Sequence, residues 1–321
     1  MNIHKSIIQT LAWFDVFDTP LTKEEIFRWL WNLRITDTLP AGRQDHDIRI
    51  ERVLQEMRER NDIGYLHGFY FLPGREELVD KRQLSVVVID KKMDIASKAA
   101  RRIRWIPFFQ AMFVCNTVAS SSASHCSDID VFIVIKKGRL WLTRLLITLT
   151  LTLFRLRRHG KMIANRICLS FYITDAHLDL SDVAIDEPDI YMAYWIDQLI
   201  PVYDPEDIRA QMLKQNTWAK ELIPHAFQPF ILHPRWRVEE GVIAKKIRRM
   251  FETVWAKGYG DLIEAQAKRM QEKKMMMNFR SVKNESDTRV VIDDTMMKFH
   301  ENDRRVQFRE EWRKRVVRVV Q

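Results

Sequence analysis

The sequence predicts an α+β protein in which a small mixed sheet lies between two largely helical regions. Three observations predict it. Apolar residues recur at helical spacing through the first 60 residues and again after residue 204. Between residues 107 and 205, segments of strand composition alternate with one long apolar helical run. The chain has 321 residues, 46% hydrophobic and 30% charged, which excludes a disordered or fibrous protein and fits two or three domains. The expected divisions are residues 1–80, a linking helix 81–106, a core 107–205 and a mainly helical region 206–321.

The elements follow in order. SIIQTLAWFDVF, Ser6 to Phe17, has helical spacing. TPLTKEEIFRWLW opens a second helix, with Thr22 as N-cap and Glu25 completing a capping box. TDTLPAGRQDHD is expected to be a loop, and DIRIERVLQEMRER, Asp47 to Arg60, a third helix. IGYLHGFYFLPG places two short apolar strands around His67-Gly68, a hairpin signal. Three helices and a hairpin resemble a winged helix, whose third helix would read DNA. That helix carries Arg49, Arg52, Arg58 and Arg60 but also Glu51, Glu56 and Glu59, without the positive surplus of a DNA-reading face. A docking or scaffold role suits it better.

The charged segment from Arg75 to Pro107 is expected to be mostly helical, although SVVVID within it has strand composition, and Pro107 ends it. FFQAMFVCN, DIDVFIVI and RICLSFYIT read as strands, with a short turn or helix at TVASSSA and a long helix at GRLWLTRLLITLTLTLFRL. The apolar run Leu140 to Phe154 is short for a membrane span and includes Arg144, so a buried core helix is expected and no membrane partner. After Asp204 the pattern is helical, with one short extended segment expected in TRVVIDDTMMKFHENDRR. The N-terminus lacks a small-residue cleavage site, and Cys115, Cys126 and Cys168 show no metal-ligand spacing; both fit a reducing cytoplasm. The net charge of +9 lies mostly in the C-terminal third: from Arg235 onward there are 22 Lys+Arg against 14 Asp+Glu. Such a surplus fits a polyanionic partner or a solvated helix face.

The chemistry concentrates in NTVASSSASHCSDIDVFIV. Residues two apart on a strand face the same side, so Asp128 and Asp130 project together while Ile129 turns into the core. Two carboxylates that close repel unless a cation lies between them. Hard oxygen ligands suit magnesium, which keeps water and phosphate oxygens in its shell.

This stretch resembles the signature of the DNA polymerase beta-like nucleotidyltransferase superfamily. There a strand ends in Gly-Ser or Gly-Gly, a short helix follows, and about ten residues later D-x-D opens the next strand. The resemblance covers roughly residues 95–205, and SDIDVFIVIKKGRLWLTR is similar to the small bacterial members. It implies a magnesium-dependent transfer of a nucleotidyl group from a nucleoside triphosphate such as ATP, with a small molecule, protein side chain or RNA end as acceptor. By this resemblance Asp128 and Asp130 are the catalytic, magnesium-binding pair. Asn116, Thr117 and Ser127 line the phosphate cradle, with the Thr117 hydroxyl and backbone amides holding the β and γ phosphates.

Two departures stand out. Asn116 occupies the usual glycine position; asparagine tolerates left-handed backbone. The third carboxylate of active members is missing from RICLSFYIT, where alternation would put Cys168, Ser170 and Tyr172 on one face. Asp175 and Asp179 follow the strand and are the nearest substitutes. These departures keep open a catalytically degenerate nucleotide-binding or interaction module; the winged helix and basic third keep open a nucleic-acid-binding regulator. KFHENDRR, with His300, Glu301 and Asp303, is a weaker metal candidate than a polar helix start, and MMMNF reads as packing. The serines 120–122 and Ser124 fit either a phosphate pocket or a closely packed small-residue helix.

Overall fold

The computed structural model describes residues 3–33, 43–185, 188–277 and 288–320. The N-terminal segment folds as α1 (Ile3–Asp15), α2 (Lys23–Arg28) and α3 (Arg43–Glu59), followed by a hairpin of β1 (Gly64–Leu66) and β2 (Phe69–Phe71). The capping box is present: Glu25 N donates to Thr22 Oγ1 at 3.3 Å and Thr22 N donates to Glu25 Oε2 at 3.0 Å. The hairpin turns through left-handed backbone at His67 (φ 49°) and Gly68 (φ 87°), the twist that two-residue hairpin loops require. Residues 36–42 of the expected loop lie outside the described residues, while 43–47 are already helical. On α3, Glu51 pairs with Lys23 of α2, Arg52 with Glu56, and Arg58 lies over the Tyr65 ring, so Arg52 and Arg58 are engaged with neighbours.

A single 27-residue helix, α4 (Glu77–Ile103), runs into the core, and the strand-like SVVVID is part of it. The core continues through β3 (Phe109–Val114), the one-turn α5 (Asn116–Ala119), β4 (Ile129–Ile135), α6 (Leu140–Leu153) and β5 (Ile167–Thr174). Next come α7 (Ile190–Gln198) and β6 (Ile200–Tyr203), then α8 (Ile208–Gln215) and α9 (Thr217–Leu222). The chain ends in α10 (Val242–Val254), α11 (Tyr259–Met276), β7 (Val290–Ile292), β8 (Met296–Phe299) and α12 (Arg305–Val320). Residues 278 and 279 of MMMNF lie outside the described residues. Among those described, no helix is long and apolar enough to cross a membrane.

The strands form one mixed sheet in the order β6-β3-β4-β5-β8-β7, with β4 and β5 parallel and the other neighbours antiparallel. One short extended segment is expected late in the chain; the fold instead has a hairpin, β7–β8, that adds two strands to the core sheet beside β5. The sheet is buried on both faces. Ile129, Val131, Ile133 and Tyr172 pack with α4 and α6, whereas Phe132, Val134 and Phe171 pack with α7 and the N-terminal helices.

That second layer is held by a buried ion pair. Asp197 of α7 has no solvent exposure; it accepts from Arg28 Nε at 2.9 Å, Arg28 Nη2 at 3.1 Å and Trp29 Nε1 at 2.9 Å. Trp13 stacks on Tyr194 of the same helix, and Trp312 of α12 donates to Gln9 O of α1 at 2.8 Å.

The start of α7 is anchored from α12. Asp189 caps α7 at Met192 N (2.9 Å) and accepts from Arg305 Nη1 at 2.7 Å. KFHENDRR runs from the end of β8 to the first residue of α12, and its Asp303 is taken up structurally: it accepts from Arg305 N at 3.1 Å and pairs with Lys298. Burial and the neighbouring Lys298 push His300 down to about 4, from an ordinary value of 6.5. An unfolded His300 takes up its proton as pH falls through 6.5, while the folded one resists until about 4. Stability is thus present above 6.5 and lost across that window, by up to about 3 kcal/mol. Urea unfolding at pH 7 and pH 4.5 should show this loss, and His300→Gln should remove most of it. An unchanged slope in the variant would place the acid lability elsewhere.

Candidate active site

The site forms where β3 ends and where β4 and β5 begin. Cys115 N donates to Asp130 O at 3.1 Å, tying the end of β3 to the head of β4. The chain then turns into α5 through Asn116, whose φ of 54° is left-handed. A β-branched residue would be strained there; asparagine keeps the turn that glycine would make. The Asn116 side chain is directed to α7 and Asp130. Its Oδ1 accepts from Tyr191 Oη at 3.2 Å and Trp195 Nε1 at 2.9 Å, and its amide lies near the Asp130 carboxylate and favours its charged form. Thr117 follows, half-buried, with its carbonyl accepting from Ser122 N at 2.9 Å.

Asp128 and Asp130 converge as alternation requires. One carboxylate oxygen of each and the Cys168 sulfur all lie within 4.8 Å of one another. Cys168 arrives because β4 and β5 are parallel and Asp130 pairs with Cys168 in register. A bulge follows. Phe132 pairs with Phe171, so two residues of β4 are matched by three of β5. The expected grouping of Cys168, Ser170 and Tyr172 on one face therefore fails. Ser170 stays near the Cys168 thiol and favours its ionisation, but Tyr172 turns to the opposite face, where Arg144 lies 5.5 Å from its ring centre.

Neither substitute carboxylate reaches the cluster. Asp175 sits at the far end of β5, about 20 Å away at strand rise, accepting from Gln110 Nε2 at 3.0 Å and Lys137 N at 2.7 Å. Asp179 caps its own turn at Ser181 N, 2.9 Å. Ser127 supports the backbone: its hydroxyl donates to Ser124 O at 3.0 Å, and its carbonyl accepts from Lys92 Nζ at 2.6 Å. Ser120 and Ser122 share a 2.8 Å hydroxyl contact.

Sequence reasoning missed Lys92 and Arg158. Lys92, on α4, is fully buried and also donates to Asn165 Oδ1 at 3.1 Å, which fixes the residue before Asp128. A lone lysine inside a charged helix carries no signal of that role. Arg158, in the basic stretch RLRRHGK, donates to Asp128 Oδ2 at 2.6 Å and lies 3.7 Å from Cys168 Sγ.

The electrostatics of the cluster are set by burial and like charge. Burial, then the charge of Asp128, pushes Asp130 up, against the hydrogen bonds from Asn116 and Cys168. Burial and the two aspartates push the Cys168 thiol up to about 12. Arg158, whose side chain is 44% exposed, supplies positive charge to Asp128, whose side chain is 15% exposed. A partly exposed pair of this kind is weak and can be displaced. Arg158→Gln should therefore tighten Mn²⁺ binding roughly two- to fivefold, the worth of one such pair, as read by electron paramagnetic resonance. Weaker binding in the variant would show that Arg158 helps to build the site and does not compete for it.

No protein-family model, no curated protein and no solved structure matches this chain.

Proposed function

We propose that this protein transfers a nucleotidyl group from a nucleoside triphosphate to an acceptor, with Asp128 and Asp130 holding Mg²⁺. The observation that carries the reading is the convergence of both carboxylates at the head of β4, beside the left-handed turn at Asn116 that leads into Thr117. Such a turn offers backbone amides and a hydroxyl to phosphate beside a pair of metal-binding acids. Magnesium, when bound, would neutralise phosphate charge and lower the barrier to in-line displacement. An acceptor oxygen attacks the α-phosphorus, its proton is released, the bond to the bridging oxygen breaks and pyrophosphate leaves.

The N-terminal three helices and hairpin are read here as a winged helix with a docking role. The Arg52–Glu56 pair within α3, with Glu51 held by Lys23 of α2, leaves little net positive charge for DNA on the described part of α3.

A degenerate, nucleotide-binding module is the second reading. Cys168 favours it, because a thiol stands beside Asp130 where a carboxylate base would act. A positioned general base typically contributes ~10²–10⁴-fold. Incubation with α-labelled nucleoside triphosphates, Mg²⁺ and cell extract separates the two. Label transfer that depends on Asp128 and Asp130 supports the enzyme. Calorimetric binding of triphosphate without transfer supports the module. Equal transfer by the Asp128→Ala, Asp130→Ala double variant overturns the site.

A further inference from the structure

We infer that Cys168 is the third ligand of this site and that the site therefore prefers a thiophilic divalent ion, of the zinc and cobalt class, to Mg²⁺. The inference rests on the metal-site reading above and names the ion it selects.

The donors converge from two strands. Parallel pairing sets Cys168 directly beside Asp130, and the three donor atoms lie within 4.8 Å of one another. With metal–oxygen bonds of about 2.0–2.2 Å and metal–sulfur bonds of about 2.3 Å, tetrahedral ligands sit roughly 3.5 Å apart. A contraction of about 1 Å, within reach of small side-chain rotations, closes the set around one ion.

An independent observation marks the same point. The Arg158 guanidinium, reaching in from outside both strands, contacts Asp128 Oδ2 at 2.6 Å and Cys168 Sγ at 3.7 Å together. One nitrogen of a cationic group already contacts both an oxygen donor and the sulfur, the two atoms a metal ion would bond.

Donor chemistry then decides the ion. Mg²⁺ takes six oxygens in near-octahedral geometry and binds sulfur poorly. Asp175 and Asp179, which could have made the set all-oxygen, are engaged elsewhere. A thiolate carries the same charge as the carboxylate it replaces, so the charge of a three-acid site is kept while its softness changes. On binding, the metal–sulfur bond forms and the thiol proton passes to solvent.

The test is Co²⁺ titration of the full chain, followed by thiolate-to-cobalt charge transfer in the near ultraviolet. The band should saturate at one equivalent, persist in Cys126→Ser and disappear in Cys168→Ser. That variant should lose Co²⁺ affinity by at least the roughly 10- to 100-fold typical of disturbed metal shells. Zn²⁺ should displace Co²⁺, whereas a hundredfold excess of Mg²⁺ should not; Cys168→Asp should reverse that preference. No band, or an unchanged band in Cys168→Ser, overturns the inference. Label transfer supported by Mg²⁺ in that last case would leave the proposed function standing. A cobalt–thiolate band without any transfer would sustain the inference and remove the function.

Discussion

Asp130→Asn should reduce label transfer on the order of 10³-fold, about 4 kcal/mol of barrier, while raising the protein's melting temperature. The two effects have one cause. Asp130 is held half-buried beside Asp128, and both burial and that neighbour disfavour its charge. An amide of the same shape relieves this repulsion but donates where a cation must be held. Loss of activity with gained stability is the signature of a residue kept for chemistry. Asp128→Asn should match it in activity and differ in stability, because it also forfeits the Arg158 ion pair. Retained transfer in Asp130→Asn would end the proposal. Lost stability would show that the carboxylate serves chiefly to hold Asn116.

Asp197→Ala should cost about 3–5 kcal/mol in urea unfolding, the usual result of leaving one member of a buried ion pair without its partner. The carboxylate is fully buried and accepts from Arg28, Trp29 and the Phe227 backbone N–H, so its removal strands several donors at once. Glu51→Ala, which breaks the exposed pair with Lys23, is the comparison and should cost under about 1 kcal/mol. A loss below that level at Asp197 would mean that apolar packing alone seats α1 and α2 on the sheet. The same substitution should also weaken metal binding, since α7 carries the Tyr191 and Trp195 donors that orient Asn116.

Much of the site was legible in the sequence because it depends on local rules. Two-residue alternation brought Asp128 and Asp130 together, and the tolerance of asparagine for left-handed backbone accounts for Asn116 at the turn. The capping box at Thr22 and the turn at His67-Gly68 are likewise local and came out as read. What was not legible depends on partners distant in the chain. The bulge in β5 is set by pairing with β4, and it decides which side chains join the site. Lys92 reaches Ser127 across 35 positions, and Arg158 reaches Asp128 across 30. The β7–β8 hairpin was legible only as one extended segment because its strands are three and four residues long, too short to show a period of two, and acquire meaning only beside β5.

That hairpin has a consequence for biosynthesis. Until residues 290–299 leave the ribosome, the outer margin of β5 beyond Ile167 has no strand beside it, although β4 on its other side is already made. Unpaired strand margins template intermolecular association. The nascent polypeptide thus carries an adhesive seam from the synthesis of β5 until that of β8, more than a hundred residues later.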